Sequence, residues 1–163
     1  MESRALLSAG LAVATATRAM AGHHDVATIP LNGTLRGQYE TNSPVPDAGT
    51  SYLLNGVDPI RGFGLASGLG EITSPGLVAS GYAQGDLSLS NARGTLTFHL
   101  TALEPQAGFQ NPPGAYSYNI TGGTGQFRGV QGVGSATLRL IQGPRSTYGF
   151  PRILQRFALT LTS

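Results

Sequence analysis

Residues 93–102 read Arg93-Gly94-Thr95-Leu96-Thr97-Phe98-His99-Leu100-Thr101-Ala102. Leu96, Phe98 and Leu100 alternate with Thr95, Thr97, His99 and Thr101. Side chains of a β-strand point to opposite faces in turn, so this segment is a strand with one oily face and one polar face. Threonine and phenylalanine also suit the pleated geometry. A single sheet of such strands would leave its oily face wet. It must pack on a second sheet or close on itself.

The same rhythm extends in both directions. Over residues 29–40, Ile29, Leu31, Gly33, Leu35, Gly37 and Tyr39 share one face. Leu87 and Leu89 do so in 83–90, Tyr116, Tyr118 and Ile120 in 115–121, and Ala136, Leu138 and Leu140 in 134–140. Phe157, Leu159 and Leu161 repeat it near the C-terminus. Weaker strands are expected at 50–57, 63–73 and 77–82, the last running through a bend into 83–90. Between these runs lie Pro44-Val45-Pro46-Asp47-Ala48-Gly49, Ser90-Asn91-Ala92-Arg93-Gly94, a Gly/Pro/Asn stretch over 105–113, and Thr121-Gly122-Gly123-Thr124-Gly125. Glycine supplies positive φ and proline presets φ at such places. About eight strands with this punctuation predict an all-β domain, a closed antiparallel barrel with an apolar interior and a Thr/Ser/Arg exterior. A β-sandwich is the alternative. The inside-out arrangement of an outer-membrane barrel wants aromatic girdles, and aromatics are only 7% with no Trp.

Composition narrows function by exclusion. The chain has 163 residues, enough for one domain, with 24 Gly and only 11% charged residues. Its ten basic residues are all Arg, a usage that fits a GC-rich bacterial genome, and they are scattered. A nucleic-acid surface needs clustered charge interleaved with stacking aromatics, so no nucleic acid is assigned as partner. Without Cys there is no disulfide, thiolate metal site or thiol nucleophile. At the N-terminus, an uncharged small-residue stretch over 5–17 leads to Ala19-Met20-Ala21. Residues 1–21 are read as a signal peptide, 22–27 as a flexible tail and 28–163 as the barrel domain. The expected location is secreted or periplasmic, with no membrane span in the mature chain.

Residues 116–132, Tyr-Ser-Tyr-Asn-Ile-Thr-Gly-Gly-Thr-Gly-Gln-Phe-Arg-Gly-Val-Gln-Gly, resemble the GGTG-x-F-x-G corner of the allene oxide cyclase and dirigent-like β-barrel family. That resemblance implies an eight-stranded antiparallel barrel with an apolar cavity, in which Gly122, Gly123 and Gly125 permit a turn and Phe127 plugs one end. No position in 28–60 matches the family's polar substrate-binding set, so no catalytic residue is carried over.

The remaining chemistry is sparse. Gly122-Gly123-Thr124-Gly125 is not followed by a helix or by Lys-Ser/Thr, so it reads as a hairpin corner and not a phosphate cradle. His99 lies on the threonine face, expected outside, with Glu104 the nearest acid along its strand. His23 and His24 form a weak metal candidate: in a chain starting at Gly22, His24 in third place can help wrap Cu(II) or Ni(II). A flexible tail is the simpler reading, and no metal or organic cofactor is assigned. Asn32-Gly33-Thr34 and Asn119-Ile120-Thr121 fit a glycosylation pattern relevant only in a eukaryotic secretory route.

These residues point to a secreted, non-catalytic barrel module that binds a small apolar molecule or serves a structural or interaction role. The alternative is an isomerase or cyclase, as in allene oxide cyclases, folding a lipid-derived substrate in the barrel cavity. Leu35, Leu87, Leu89, Leu96, Phe98, Tyr116, Tyr118, Leu138 and Leu159 are the candidate cavity wall.

Overall fold

A computed structural model describes residues 28–42, 49–75, 80–107, 112–141 and 155–163. Residues 1–21, read as a signal peptide, the stretch with His23 and His24, and the prolines at 44 and 46 fall outside the described residues. Eight strands follow in order: β1 (Asn32–Asn42), β2 (Thr50–Ile60), β3 (Gly64–Ser74), β4 (Ser80–Asn91), β5 (Gly94–Ala107), β6 (Ala115–Gly123), β7 (Val133–Ile141) and β8 (Arg156–Thr162). A single 3-10 turn, Gly125–Phe127, lies between β6 and β7. Each strand pairs antiparallel with the next and β8 returns to β1, closing the barrel. Every strand therefore has two partners, which a sandwich would deny to its edges. Of the segment predicted near 77–82, the described residues 80–82 join the next predicted strand in β4, with an irregularity between Tyr82 and Gln84.

The faces fall as the alternation requires. Leu96, Phe98 and Leu100 are buried, while Thr97 is exposed and Thr95, His99 and Thr101 are partly so. The outer face departs from the hydroxyl-rich expectation at β2 and β3. There Leu53, Val57, Leu65 and Leu69 point outward. The run Tyr52-Leu53-Leu54 is apolar at both parities, and closure can turn only one parity inward.

Closure depends on an alternation of large and small side chains. One inward row runs Phe157, Gly37, Gly56, Gly68, Leu89, Leu96 in register across β8, β1, β2, β3, β4 and β5. A Cβ on Gly37 would lie 1.9 Å from the Asn55 carbonyl oxygen, and one on Gly56 would lie 2.4 Å from that of Arg36. The sheet thus bends here more tightly than any side chain allows. Neighbours fill the space: a Cβ on Gly56 would meet the Phe157 ring at 3.2 Å, and one on Gly68 would run into Leu35. A second row, Tyr39, Leu54, Gly70, Leu87, Phe98, Ile120, interleaves sizes in the same way.

The two ends of the barrel differ. At one end the β2–β3 and β4–β5 turns meet the β6–β7 corner. Phe127 is buried and stacks on Phe63 at 4.5 Å, and Arg93 lies over the Phe127 ring at 5.4 Å while donating to the Phe63 carbonyl. Gly125 takes φ +58°, and a Cβ there would sit 2.3 Å from the Arg93 carbonyl oxygen. Gly123 approaches the Phe127 carbonyl as closely, but Gly122 has a side chain, Thr97, as its neighbour and belongs to the end of β6. The corner resembling GGTG is therefore a lid seated backbone to backbone on the β4–β5 hairpin. The opposite end is built from polar-tipped residues.

Candidate functional site

All nine candidate wall residues are buried in a single apolar core. Leu138, Leu159 and Leu35 form one row across β7, β8 and β1, Leu87 pairs with Phe98, and Leu89 pairs with Leu96. These six and Phe98 pack as interior. Tyr116 and Tyr118 belong to a different neighbourhood.

At the end opposite the Phe63–Phe127 lid, inward positions carry Tyr39 from β1, Tyr52 and Thr50 from β2, Ser74 from β3 and Tyr116 from β6. The period of two puts them there: Tyr39 shares parity with Leu35, Tyr52 with Leu54, and Tyr116 with Tyr118. The Tyr39 and Tyr52 rings lie 6.2 Å apart at 47°. Tyr118, deeper, meets Phe98 edge to face at 5.6 Å. Tyr116 pairs in register with Ala102 on β5 and Ala136 on β7, so its ring is flanked by the two smallest chiral side chains, both buried. Ala83 on β4 is a third buried alanine on that wall. Ser74 Oγ donates to Gln106 Oε1 at 2.8 Å, so its buried hydroxyl is satisfied.

The Tyr116 hydroxyl is different. Its residue is 0% exposed, and the oxygen finds no hydrogen-bond partner among the described residues. Native proteins pair nearly all buried polar groups, and an orphan costs about 1–3 kcal/mol. Burial pushes the Tyr116 phenol well above its ordinary value, and the nearby Tyr52 phenol adds to the effect. Burial also raises Tyr39, Tyr52 and Tyr118, and Tyr39 raises Tyr52 further. The phenols therefore stay protonated and act as donors. No Asp, Glu, Arg or His is among the buried described residues, whose only buried polar members besides the tyrosines are Thr50 and Ser74. Asp58 occupies an inward-parity position of β2 and is partly buried. It accepts the Arg36 backbone N–H at 2.7 Å, and its carboxylate lies 3.7 Å from the Arg36 guanidinium.

Chemistry on the outside is of another kind. His99 Nδ1 lies 2.9 Å from Asp86 Oδ1 across the β4–β5 pair. Glu104, its neighbour in sequence, is not its partner; strand pairing brings Asp86 instead. Both side chains meet solvent, and no group of three metal-ligating side chains exists among the described residues. A concavity of about 960 Å³ also faces outward, lined chiefly by outward-pointing residues of β1–β4 such as Gln38, Leu53, Val57, Leu69 and Glu71. It is an open saddle in which Asp86 is already engaged by His99. The tyrosine end is the place where a buried group lacks what its chemistry requires.

Sequence reasoning found Tyr116 and Tyr118 but left out Tyr39, Tyr52, Thr50, Ser74 and the three alanines. The available signal was an inward-parity tyrosine at the same end of three strands. Comparison with protein-family models, with curated proteins and with solved structures gives no match.

Proposed function

We propose that this chain is an exported, non-catalytic barrel that binds a small, largely apolar molecule among the tyrosines at the end opposite the Phe63–Phe127 lid. One observation carries this reading: the Tyr116 hydroxyl, completely buried and without a hydrogen-bond partner among the described residues. A ligand that reaches it converts a standing cost into a hydrogen bond, and its in-register neighbours Ala102 and Ala136 carry only methyl side chains. The similarity of the 116–132 corner to allene oxide cyclase and dirigent-like barrels is consistent with an apolar ligand in a barrel of this shape. The leader over 1–21 supports export to a secreted or periplasmic location. Binding is favoured over isomerase or cyclase activity because the buried described residues offer acid–base chemistry only phenols, which burial raises further above their ordinary value.

Native mass spectrometry of the exported protein tests this. The expected spectrum shows an adduct of small-molecule mass that is lost on denaturation, on a chain beginning at Gly22. A bare polypeptide mass, together with no binding to any apolar probe by the refolded chain, would leave only a structural role.

A further inference from the structure

The outer wall over β2 and β3 carries side chains that water does not favour. Leu53 and Val57 of β2 and Leu65 and Leu69 of β3 are 43–67% exposed. Leu69 lies opposite Asn55 and Ser67 opposite Val57, so Leu53, Leu69, Val57 and Leu65 are successive diagonal neighbours across the β2–β3 pair. They form one oily stripe along the hairpin. The other exposed large apolar residues, Tyr82, Leu103, Val133 and Ile141, are spread over β4, β5 and β7. A contiguous apolar stripe on an outer surface marks a contact face. Closure leaves the barrel no free strand edge, so a partner must pack on this face and cannot extend the sheet.

The face is complementary to itself. Its middle row is Gln38, Asn55 and Leu69, in register across β1, β2 and β3. Two residues to one side stand Glu40 and Leu53; two residues to the other stand Arg36 and Val57. A two-fold axis along this row, at right angles to the strands, exchanges the two sides between facing copies. Leu69 then meets Leu69 of the second copy, Val57 meets Leu53, and the Arg36 guanidinium meets the Glu40 carboxylate, twice. An isologous contact demands this swap, in which residue i touches j and j touches i. Both charged groups are available. The Arg36 side chain is 67% exposed and only approaches Asp58 at 3.7 Å, and Glu40 has no ion pair among the described residues. Like charges stay apart, since Glu71, beside Leu53, comes over Ser67.

We propose that the chain associates as a two-fold dimer through this face, with Leu69 at the axis, Val57 against Leu53 beside it, and two Arg36–Glu40 pairs along β1.

Sedimentation velocity on the full chain, from about 1 to 100 μM, tests this. Wild type is expected to sediment as a dimer at the upper concentrations. Leu69→Glu sets two carboxylates face to face at the axis and is expected to raise the dimer dissociation constant by at least about a hundredfold. Arg36→Glu and Glu40→Arg each bring like charges together and are expected to weaken the dimer by at least about tenfold. An equimolar mixture of those two variants has complementary pairs again, and its constant is expected to return to within about threefold of wild type. Damage within one chain is not repaired by mixing it with another, so this rescue reads contact between copies; each variant is checked for fold by far-ultraviolet circular dichroism. A wild type that is monomeric throughout overturns the proposal, and flotation of that monomer with phosphatidylcholine vesicles would give the stripe to a lipid surface. A trimer overturns the two-fold. A folded Leu69→Glu as dimeric as wild type overturns the choice of face, and a mixture no tighter than either variant alone overturns the Arg36–Glu40 pairing.

Discussion

Tyr116→Phe in the ligand-free protein is predicted to be more stable than wild type, the reverse of the usual effect of cutting a group from a core. The ring stays between Ala102 and Ala136, so packing is conserved; only the oxygen goes. That oxygen is inaccessible and has no partner among the described residues, so folding removes its water without replacement. The penalty for such a group is about 1–3 kcal/mol, and the substitution recovers it. For a chain of this size each kcal/mol raises Tm by about 2–4 °C. A buried tyrosine with a satisfied hydroxyl would lose about 0.5–1.5 kcal/mol instead, so the sign of the change decides. The assay is urea unfolding followed by far-ultraviolet circular dichroism, on protein stripped of ligand by refolding from guanidinium chloride. A higher midpoint with an unchanged slope supports the reasoning. A midpoint equal to or below that of wild type shows that the hydroxyl is satisfied and removes the basis of the proposed site.

Further outcomes follow from the same geometry. Gly37→Ala, whose Cβ would lie 1.9 Å from the Asn55 carbonyl oxygen, is expected to lose about 3 kcal/mol or more, whereas Gly81→Ala, with Pro75 at an ordinary 3.7 Å, is expected to gain about 0.4–1 kcal/mol; equal denaturation midpoints would contradict the glycine-bend account. Phe127→Ala opens the lid over Phe63 and is expected to cost about 3–5 kcal/mol by chemical denaturation; a loss below 1 kcal/mol, roughly, would mean the lid is not part of the core. The phenols of Tyr39, Tyr52, Tyr116 and Tyr118 are raised on folding by burial, so the stability they confer is complete below the unfolded value near about 10 and is lost as pH climbs above it. The urea midpoint should therefore fall in that alkaline window, with phenolate absorbance of the folded chain lagging that of the chain in guanidinium chloride; coincident titrations would show open tyrosines. His99→Gln breaks a solvent-screened pair with Asp86 and is expected to change stability by less than about 1 kcal/mol by urea unfolding; a larger loss would show that the pair is not screened.

Period-two alternation determines a great deal by itself. It placed Leu96, Phe98 and Leu100 inside and their threonines toward water, because a strand has only two faces and water accepts only one of them. It also required the oily faces to be covered, by closure or by a second sheet, since every strong strand carried one with no helix to cover it; the choice of closure is seen in the pairing of β8 with β1. The glycine-rich corner after Thr121 was legible as a turn, though its reason is steric: Gly125 and Gly123 let the lid sit on another backbone. Register and curvature, by contrast, belong to the closed barrel. Only strand pairing set Asp86 beside His99, thirteen residues away, in place of Glu104. Only the tertiary structure turned Leu53, Val57, Leu65 and Leu69 outward, Leu53 from a run that is apolar at both parities. And only the meeting of β1, β2 and β6 at one end gathered Tyr39, Tyr52 and Tyr116, leaving the Tyr116 hydroxyl without a partner among the described residues. A linear pattern fixes which side of a ribbon faces inward; which inward groups become neighbours depends on how the ribbon shears and bends as it closes.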